Sequence, residues 1–190
     1  LFDDESILAI MSFTDELRAE SPAAIDKLKD LSIKSILISG DQEISVKSVA
    51  QELGLDDFYY EVKPEEKLSI IKKYQSQDLK VAMIGDGIND APALAGADVS
   101  FAMSSGSDIA MQTADVTLMN NNPQSIADAI FVSKKTYSKI KQNLFWAFFY
   151  NLIGIPLAAL GYLSPEIAGL AMALSSLSVV TNSLLLKRQI

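Results

Sequence analysis

The run Met-Ile-Gly-Asp-Gly-Ile-Asn-Asp-Ala-Pro at residues 83–92 decides how the rest of the chain is read. It follows a β-branched segment, residues 80–84, that reads as a buried strand, and it precedes an alanine-rich helix start. Gly85 and Gly87 are expected to permit backbone conformations that a Cβ resists, so the chain turns sharply there. Asp86 and Asp90 then share one small loop with Asn89, at the carboxyl end of a strand, where open α/β sheets bind ligands. Two carboxylates so placed suit Mg²⁺, which takes one or two carboxylates together with waters and phosphate oxygens. The same residues also fit an acidic surface turn, because Asp and Asn cap turns with their own side chains.

Working outward, strand and helix patterns alternate. Residues 7–13 read as a first strand. Ser21-Pro22 reads as a helix start with Ser21 as N-cap, and Ala24, Ile25, Leu28 and Leu31 follow at helical spacing. Residues 33–38 return to a β-rich run that stops at Ser39-Gly40-Asp41. A helix from Glu43 places Val46, Val49, Ala50 and Leu53 on one face and closes at Gly54. Residues 58–62 form a short strand, and Pro64 opens a helix with Leu68, Ile71 and Tyr74 on one side. Residues 99–103 and 116–119 are two more strands, with 107–113 helical between them. This alternation predicts a largely parallel sheet covered by helices.

Composition divides the chain in two. Residues 1–133 carry 10 Lys and Arg against 23 Asp and Glu, which argues against nucleic acid as a partner. Residues 144–186 contain a single charged side chain, Glu166, which is membrane composition. Residues 144–163 and 167–186 are each long enough as helices to cross the hydrocarbon core, with Ser164-Pro165-Glu166 as a tight reversal. Lys134, Lys135, Lys139 and Lys141 precede the first span, and Lys187 and Arg188 follow the second. By the positive-inside tendency, residues 1–143 and the carboxyl terminus are expected on the cytoplasmic side of a plasma or inner membrane. Neither Cys nor His occurs, so proton transfer or nucleophilic attack falls to carboxylates, hydroxyls, Lys, water or a residue outside this chain. No signal peptide is visible at the amino terminus. With no starting Met and a strand that begins almost at once, a fragment of a longer polypeptide is expected.

Loops at the carboxyl ends of parallel strands share one crevice, which is expected to gather Ser39, Gly40, Lys67 and the loop from Asp86 to Asp90. A hydroxyl and turn amides for phosphoryl oxygens, a lysine for their charge and carboxylates for Mg²⁺ are the parts of a phosphoryl-transfer site. Taken singly, Ser39 also reads as a strand-end turn residue and Lys67 as a solvated side chain.

Ser39-Gly40-Asp41, Pro64-Glu65-Glu66-Lys67 and the run Gly-Asp-Gly-Ile-Asn-Asp-Ala-Pro-Ala-Leu-Ala at 85–95 resemble the phosphorylation domain of P-type ATPases, which has a haloacid-dehalogenase-like fold. The match continues through Ala97-Asp98-Val99, Ala102-Met103, residues 106–110 and Ala114-Asp115. The resemblance implies that an aspartate in an upstream Asp-Lys-Thr-Gly motif, absent here, is phosphorylated by ATP. It further implies that Asp86 ligates Mg²⁺ with support from Asp90, that Lys67 contacts the aspartyl phosphate, and that Ser39, Gly40, Asp41 and Asn89 belong to the phosphate and nucleotide site. Ser39 stands where the family usually has Thr; it keeps the hydroxyl donor and loses a methyl. Asp15, Leu17 and Arg18 resemble the re-entry segment at the hinge of the nucleotide domain.

In the apolar half, Asn143, Tyr150-Asn151, Pro156, Met172, Ser175-Ser176 and Asn182 resemble the signature of the copper(I)-exporting branch of heavy-metal P-type ATPases. That implies Tyr150, Asn151, Met172, Ser175 and Ser176 line a Cu(I) path, for which a thioether is a suitably soft ligand. Small and polar residues in membrane helices are equally packing contacts and interhelical hydrogen bonds. The branch's Cys-Pro-Cys motif is absent, and silver remains open beside copper.

The expected architecture is therefore a partial haloacid-dehalogenase-like domain over 1–122, a connecting helix over 123–143 and a transmembrane helical hairpin over 144–190. Its expected partners are the lipid bilayer, the copper ion and the nucleotide-binding, actuator and earlier membrane parts of the pump. By itself this stretch is expected to be inactive, with sheet edges open where the nucleophile's strand is missing. A membrane-tethered phosphatase of the same fold and a non-catalytic membrane subunit of a pump are the alternatives.

Overall fold

The computed structural model describes residues 16–162 and 164–187. The strand expected at 7–13 lies outside the described residues, as do Asp15 and Arg188. The chain divides into two compact units, Leu1–Ile126 and Ala127–Ile190.

In the first unit, helices and strands alternate as α1 (Ser21–Asp30), β1 (Ile36–Ile38), α2 (Glu43–Leu53), β2 (Asp57–Tyr59), α3 (Pro64–Gln75), β3 (Ala82–Gly85), α4 (Ala91–Gly96), β4 (Val99–Ala102), α5 (Asp108–Thr113) and β5 (Val116–Thr117). Every strand pairing is parallel, as the alternation predicts. The strands do not form one sheet, however. β1 pairs with β2, while β3, β4 and β5 form a second sheet in that order. Among the described residues no strand occupies the free edge of β1 or of β3.

The strands are shorter than the apolar runs suggested. Met119, read as the end of the last strand, is 92% exposed, because pairing to β4 stops at Thr117. Ser21 lies inside α1 and Glu20 caps it without a side-chain bond, so the N-cap falls one residue earlier than expected. Gly54 closes α2 in the left-handed region at φ 60°, as its position predicts.

One polar device recurs at the amino ends of the strands. Asp56, just before β2, accepts from Ser35 N at 2.7 Å ahead of β1. Asp98, before β4, accepts from Val81 N at 3.0 Å ahead of β3. Asp115, before β5, accepts from Ser100 N at 2.9 Å on β4. Each aspartate satisfies the N–H at the start of its neighbour strand, so these carboxylates hold parallel register at the end opposite the loops that carry function. Leu94, Ala102 and Ala110 form the fully buried centre, with Met83, Met111 and Ala114 packed on it. The alanines among them, Ala102 and Ala110, let α4 and α5 lie close to the sheet.

Helix α6 runs from Gln124 to Ala159, its first three residues in the first unit and the rest, with α7 (Pro165–Leu186), in the second. The first expected span ends four residues early, at Ala159, where Gly161 adopts φ 75° and Tyr162 N donates to Leu157 O in a helix-terminating turn. Among the described helices only Pro165–Leu186 is long and apolar enough to cross a membrane. Gln142, Asn143, Tyr150, Asn151 and Pro156 dilute the apolar stretch of α6. The two helices are joined at one end by polar contacts: Asn182 accepts from Lys139 Nζ (2.8 Å) and donates to Asn143 Oδ1 (2.8 Å), and Asn143 donates to Ser183 Oγ (2.8 Å).

Candidate phosphoryl-transfer site

The site is built at the carboxyl end of β3. Gly85 ends that strand, and a 3₁₀ turn over Ile88–Asp90 leads directly into α4 with Pro92 in its first turn. The glycines serve a different purpose from the one expected. Neither Gly85 nor Gly87 has a positive φ; the glycines that do, among the described residues, are Gly54 and Gly161. Gly85 is required by close approach instead, since a Cβ there would lie 2.8 Å from Asp90 Cβ. Removing the side chain at 85 lets the Asp90 carboxylate fold back against the strand end.

Helix α3 supplies the cation. Pro64 opens it, and the Glu66 carboxylate accepts from Lys63 N at 2.9 Å, which fixes the first turn and the direction of the following side chain. That side chain is Lys67, whose Nζ lies 2.6 Å from Asp90 Oδ1. Both side chains are largely buried, at 16% and 12% exposure. Asp86, by contrast, is exposed, and its carboxylate makes no hydrogen bond or ion pair among the described residues.

Lys67, Asp86 and Asp90 line one cleft of about 500 Å³, together with Arg18, Met83 and Met103. Of the expected site residues, the structure thus brings together Lys67, Asp86 and Asp90. Ser39, Gly40, Asp41 and Asn89 are not in that lining, although Ile38, immediately before Ser39, is. The Ser39 hydroxyl donates to Asp41 Oδ2 at 2.6 Å and accepts from Asp41 N at 3.2 Å, so it closes its own turn at the end of β1. Leu17 and Arg18, expected in the re-entry segment at the hinge of the nucleotide domain, also line this cleft, and the Arg18 guanidinium donates to Asn121 O at 2.5 Å.

The donor set fits a magnesium ion of the kind that keeps most of its shell as water and phosphate. Asp86 is free to bind it, Asp90 is near but neutralised by Lys67, and no group of three acidic or other metal-ligating side chains occurs among the described residues. When bound, the ion supplies positive charge against phosphoryl oxygens. Lys67 is the cationic side chain this chain places beside Asp90 in that cleft.

The residues expected along a Cu(I) path lie on α6 and α7. Met172 is 72% exposed on α7. Asn151 Nδ2 donates to Ala147 O (2.9 Å) and Ser176 Oγ to Met172 O (3.1 Å), so both polar side chains bond within their own helix. No hydrogen bond joins Tyr150 or Asn151 to Met172, Ser175 or Ser176 among the described residues.

With a parallel sheet, a glycine-flanked Asp86–Asp90 loop and a lysine from the preceding helix in place, the class is defined. The chain belongs to the haloacid dehalogenase-like hydrolase family, whose model matches residues 2–98. Along its length it is similar to heavy-metal P-type ATPases. It is 49% identical over 191 residues to a probable copper-importing P-type ATPase A of Enterococcus hirae, covering 100% of this chain and 26% of that protein. It is likewise 49% identical to a copper-exporting P-type ATPase of Staphylococcus saprophyticus, covering 94% of this chain and 22% of that one. A zinc-transporting PIB-type ATPase in its E2.Pi state matches with TM-score 0.83 and 35% identity, over 90% of this chain and 28% of that chain. The catalytic domain of the CPx-ATPase CopB-B matches with TM-score 0.58 and 42% identity, over 62% of this chain and 46% of that one. The chain spans about a quarter of the length of the curated relatives it matches.

Proposed function

We propose that these residues are part of an ATP-driven, copper(I)-exporting P-type ATPase that works through an aspartyl phosphate. The nucleophilic aspartate and the nucleotide domain come from outside this chain, so these 190 residues alone are inactive. In this reading Asp86 holds Mg²⁺ with support from Asp90, Lys67 exchanges its pair with Asp90 for the phosphoryl group, and Ser39, Gly40, Asp41 and Asn89 complete the phosphate and nucleotide site as the pump closes. Tyr150, Asn151, Met172, Ser175 and Ser176 carry Cu(I), with silver as a second cargo of the same softness. α7 and the apolar part of α6 cross the bilayer, with the acidic unit on the cytoplasmic face.

The observation that carries the reading is the Lys67–Asp90 pair beside an unpaired Asp86 in one cleft. Copper is supported by the names of two relatives, and export by one of them. The test is transport by the full-length protein in inside-out vesicles. ATP-dependent uptake of radioactive Cu(I), abolished by Asp86→Asn, supports it. ATP hydrolysis stimulated by Zn²⁺ but not by Cu(I) overturns the cargo assignment, and uptake confined to right-side-out vesicles overturns the direction.

A further inference from the structure

Three consecutive asparagines, Asn120, Asn121 and Asn122, have no role in the motifs discussed so far, yet each side chain is engaged. Asn122 Oδ1 accepts from Gln124 N at 2.9 Å, at the first residue of α6. Asn120 Oδ1 accepts from Ser125 Oγ at 2.9 Å and from Asn122 N at 3.2 Å. Asn121 reaches the other way, across the sheet's loops. Its Oδ1 accepts from Ser104 Oγ at 2.9 Å and from Ser105 N at 2.8 Å, while its carbonyl accepts from Arg18.

Ser104 and Ser105 begin the strap that lies against Asp86. Ser107 N donates to Asp86 O at 2.8 Å. Between them, Gly106 packs so closely that a Cβ would lie 2.9 Å from Met103 O and 3.1 Å from Asp86 O. The strap also makes its own turn, Gly106 N to Met103 O at 2.8 Å, and at its far end Ser107 caps α5, its hydroxyl accepting from Ala110 N at 3.2 Å. Ser104 and Ser105 are exposed, so the two bonds to Asn121 are what fasten the tip of the strap. A continuous path of contacts therefore runs from Asn121 through the strap to the backbone of Asp86. Its other end is the Asn120–Asn122 run in the six-residue link from β5 to α6.

We propose that Asn121 is a positioning residue: by fastening the Ser104–Ser107 strap it sets the Asp86 carboxylate for capture of a divalent cation. This rests on Asp86 being a Mg²⁺ ligand. Outer partners that orient a metal ligand change metal affinity when removed, by about ten- to a hundredfold when they touch the ligand directly. Asn121 acts through one intervening loop, so a smaller effect follows.

The experiment is titration of Mn²⁺, a spectroscopic stand-in for Mg²⁺, into the full-length protein, with bound ion read by electron paramagnetic resonance. Asn121→Ala is expected to weaken binding about three- to tenfold. Asn121→Asp keeps an acceptor for Ser104 and Ser105 and is expected to restore it. Wild-type affinity in Asn121→Ala overturns the proposal, and so does an Asn121→Asp variant as weak as Asn121→Ala. If Asn121→Ala does not fold, Ser104→Ala removes one of the two bonds, and unchanged affinity there also overturns it. A wild-type protein that binds Mn²⁺ no better than Asp86→Asn sinks the reading of Asp86 itself, a result visible without any variant at 121.

Discussion

The Nζ of Lys67, on the first turn of α3, lies 2.6 Å from Oδ1 of Asp90, 23 residues further on, while Asp86 on the same loop has no side-chain partner among the described residues. Two carboxylates four residues apart thus have different work. Asp90 is part of the folded core of the site, and Asp86 is exposed to whatever enters the cleft. Lys67→Met strands the largely buried Asp90 carboxylate, and removing one partner of such a pair costs about 3 kcal/mol. Asp86→Asn, at an exposed unpaired side chain, is expected to change stability by less than about 0.5 kcal/mol. It should nevertheless lower Mg²⁺-dependent phosphoenzyme turnover by about a hundredfold or more. Denaturant midpoints and phosphoenzyme assays on both variants separate the two roles; equal loss of stability in both contradicts the division.

Asp98 gives the fold a pH dependence of known sign. Its carboxylate accepts from Val81 N, then from Lys80 and Gln75, and these bonds hold it well below the usual carboxylate range. A carboxyl whose folded value is depressed contributes stability that is present above its unfolded value, about 3.9, and is lost as pH falls from there toward the folded value. Asp98→Asn keeps an acceptor but no charge. The gap in melting temperature between wild type and Asp98→Asn is therefore expected to be largest at pH 6 and to shrink on acidification to pH 3. A gap that widens over that interval contradicts the assignment.

Gly106 tests how tightly the cleft is fixed from behind. A Cβ at 106 meets the backbone oxygens of Met103 and Asp86 at 2.9 and 3.1 Å, and backbone cannot yield as a flexible side-chain tip does. Gly106→Ala is expected to destabilise the protein by about 1–3 kcal/mol and to raise the Mg²⁺ concentration needed for half-maximal turnover. Gly96→Ala is the contrast. There the nearest atom is the terminal Cδ1 of Leu68, which can rotate away, so Mg²⁺ dependence is expected to stay unchanged. An unaltered Mg²⁺ requirement in Gly106→Ala counts against a strap that holds Asp86.

What could be read from residues alone follows from the range of the interactions. The Gly85–Pro92 run announced its turn, and Pro64 announced the helix that presents Lys67, because those signals lie within a few residues of their effects. The meeting of Lys67 with Asp90 followed from parallel topology. Asp56, Asp98 and Asp115 were not legible as a set, since an acidic residue before a strand looks like ordinary loop until the neighbouring strand's N–H is seen to face it. Asn121 was opaque for the same reason, its partners being 16 and 17 residues away. The division into two sheets also escaped periodicity, which reports that a strand exists and not which edge it shares. In α6 the apolar content of residues 144–163 concealed the stop at Gly161, where a left-handed residue ends the helix at Ala159.

Met172 separates cargo chemistry from packing in the apolar unit. Its side chain is 72% exposed on α7, so it contributes little to the contacts within this chain, and a thioether there is available to neighbouring segments or to a soft cation. Met172→Leu conserves volume and apolarity, for which the cost in a packed site is under about 1.5 kcal/mol. Lost Cu(I) stimulation can then be assigned to the missing sulfur. The expected outcome is a melting temperature near wild type with Cu(I)-stimulated ATP hydrolysis lowered about tenfold, on the order of one lost ligand interaction. Ser176→Ala provides the internal comparison: its hydroxyl already donates to the carbonyl of Met172, and removing it frees that carbonyl while leaving the sulfur in place. Full Cu(I) stimulation in Met172→Leu makes the residue a packing contact for another helix and moves the soft ligands elsewhere in the pump.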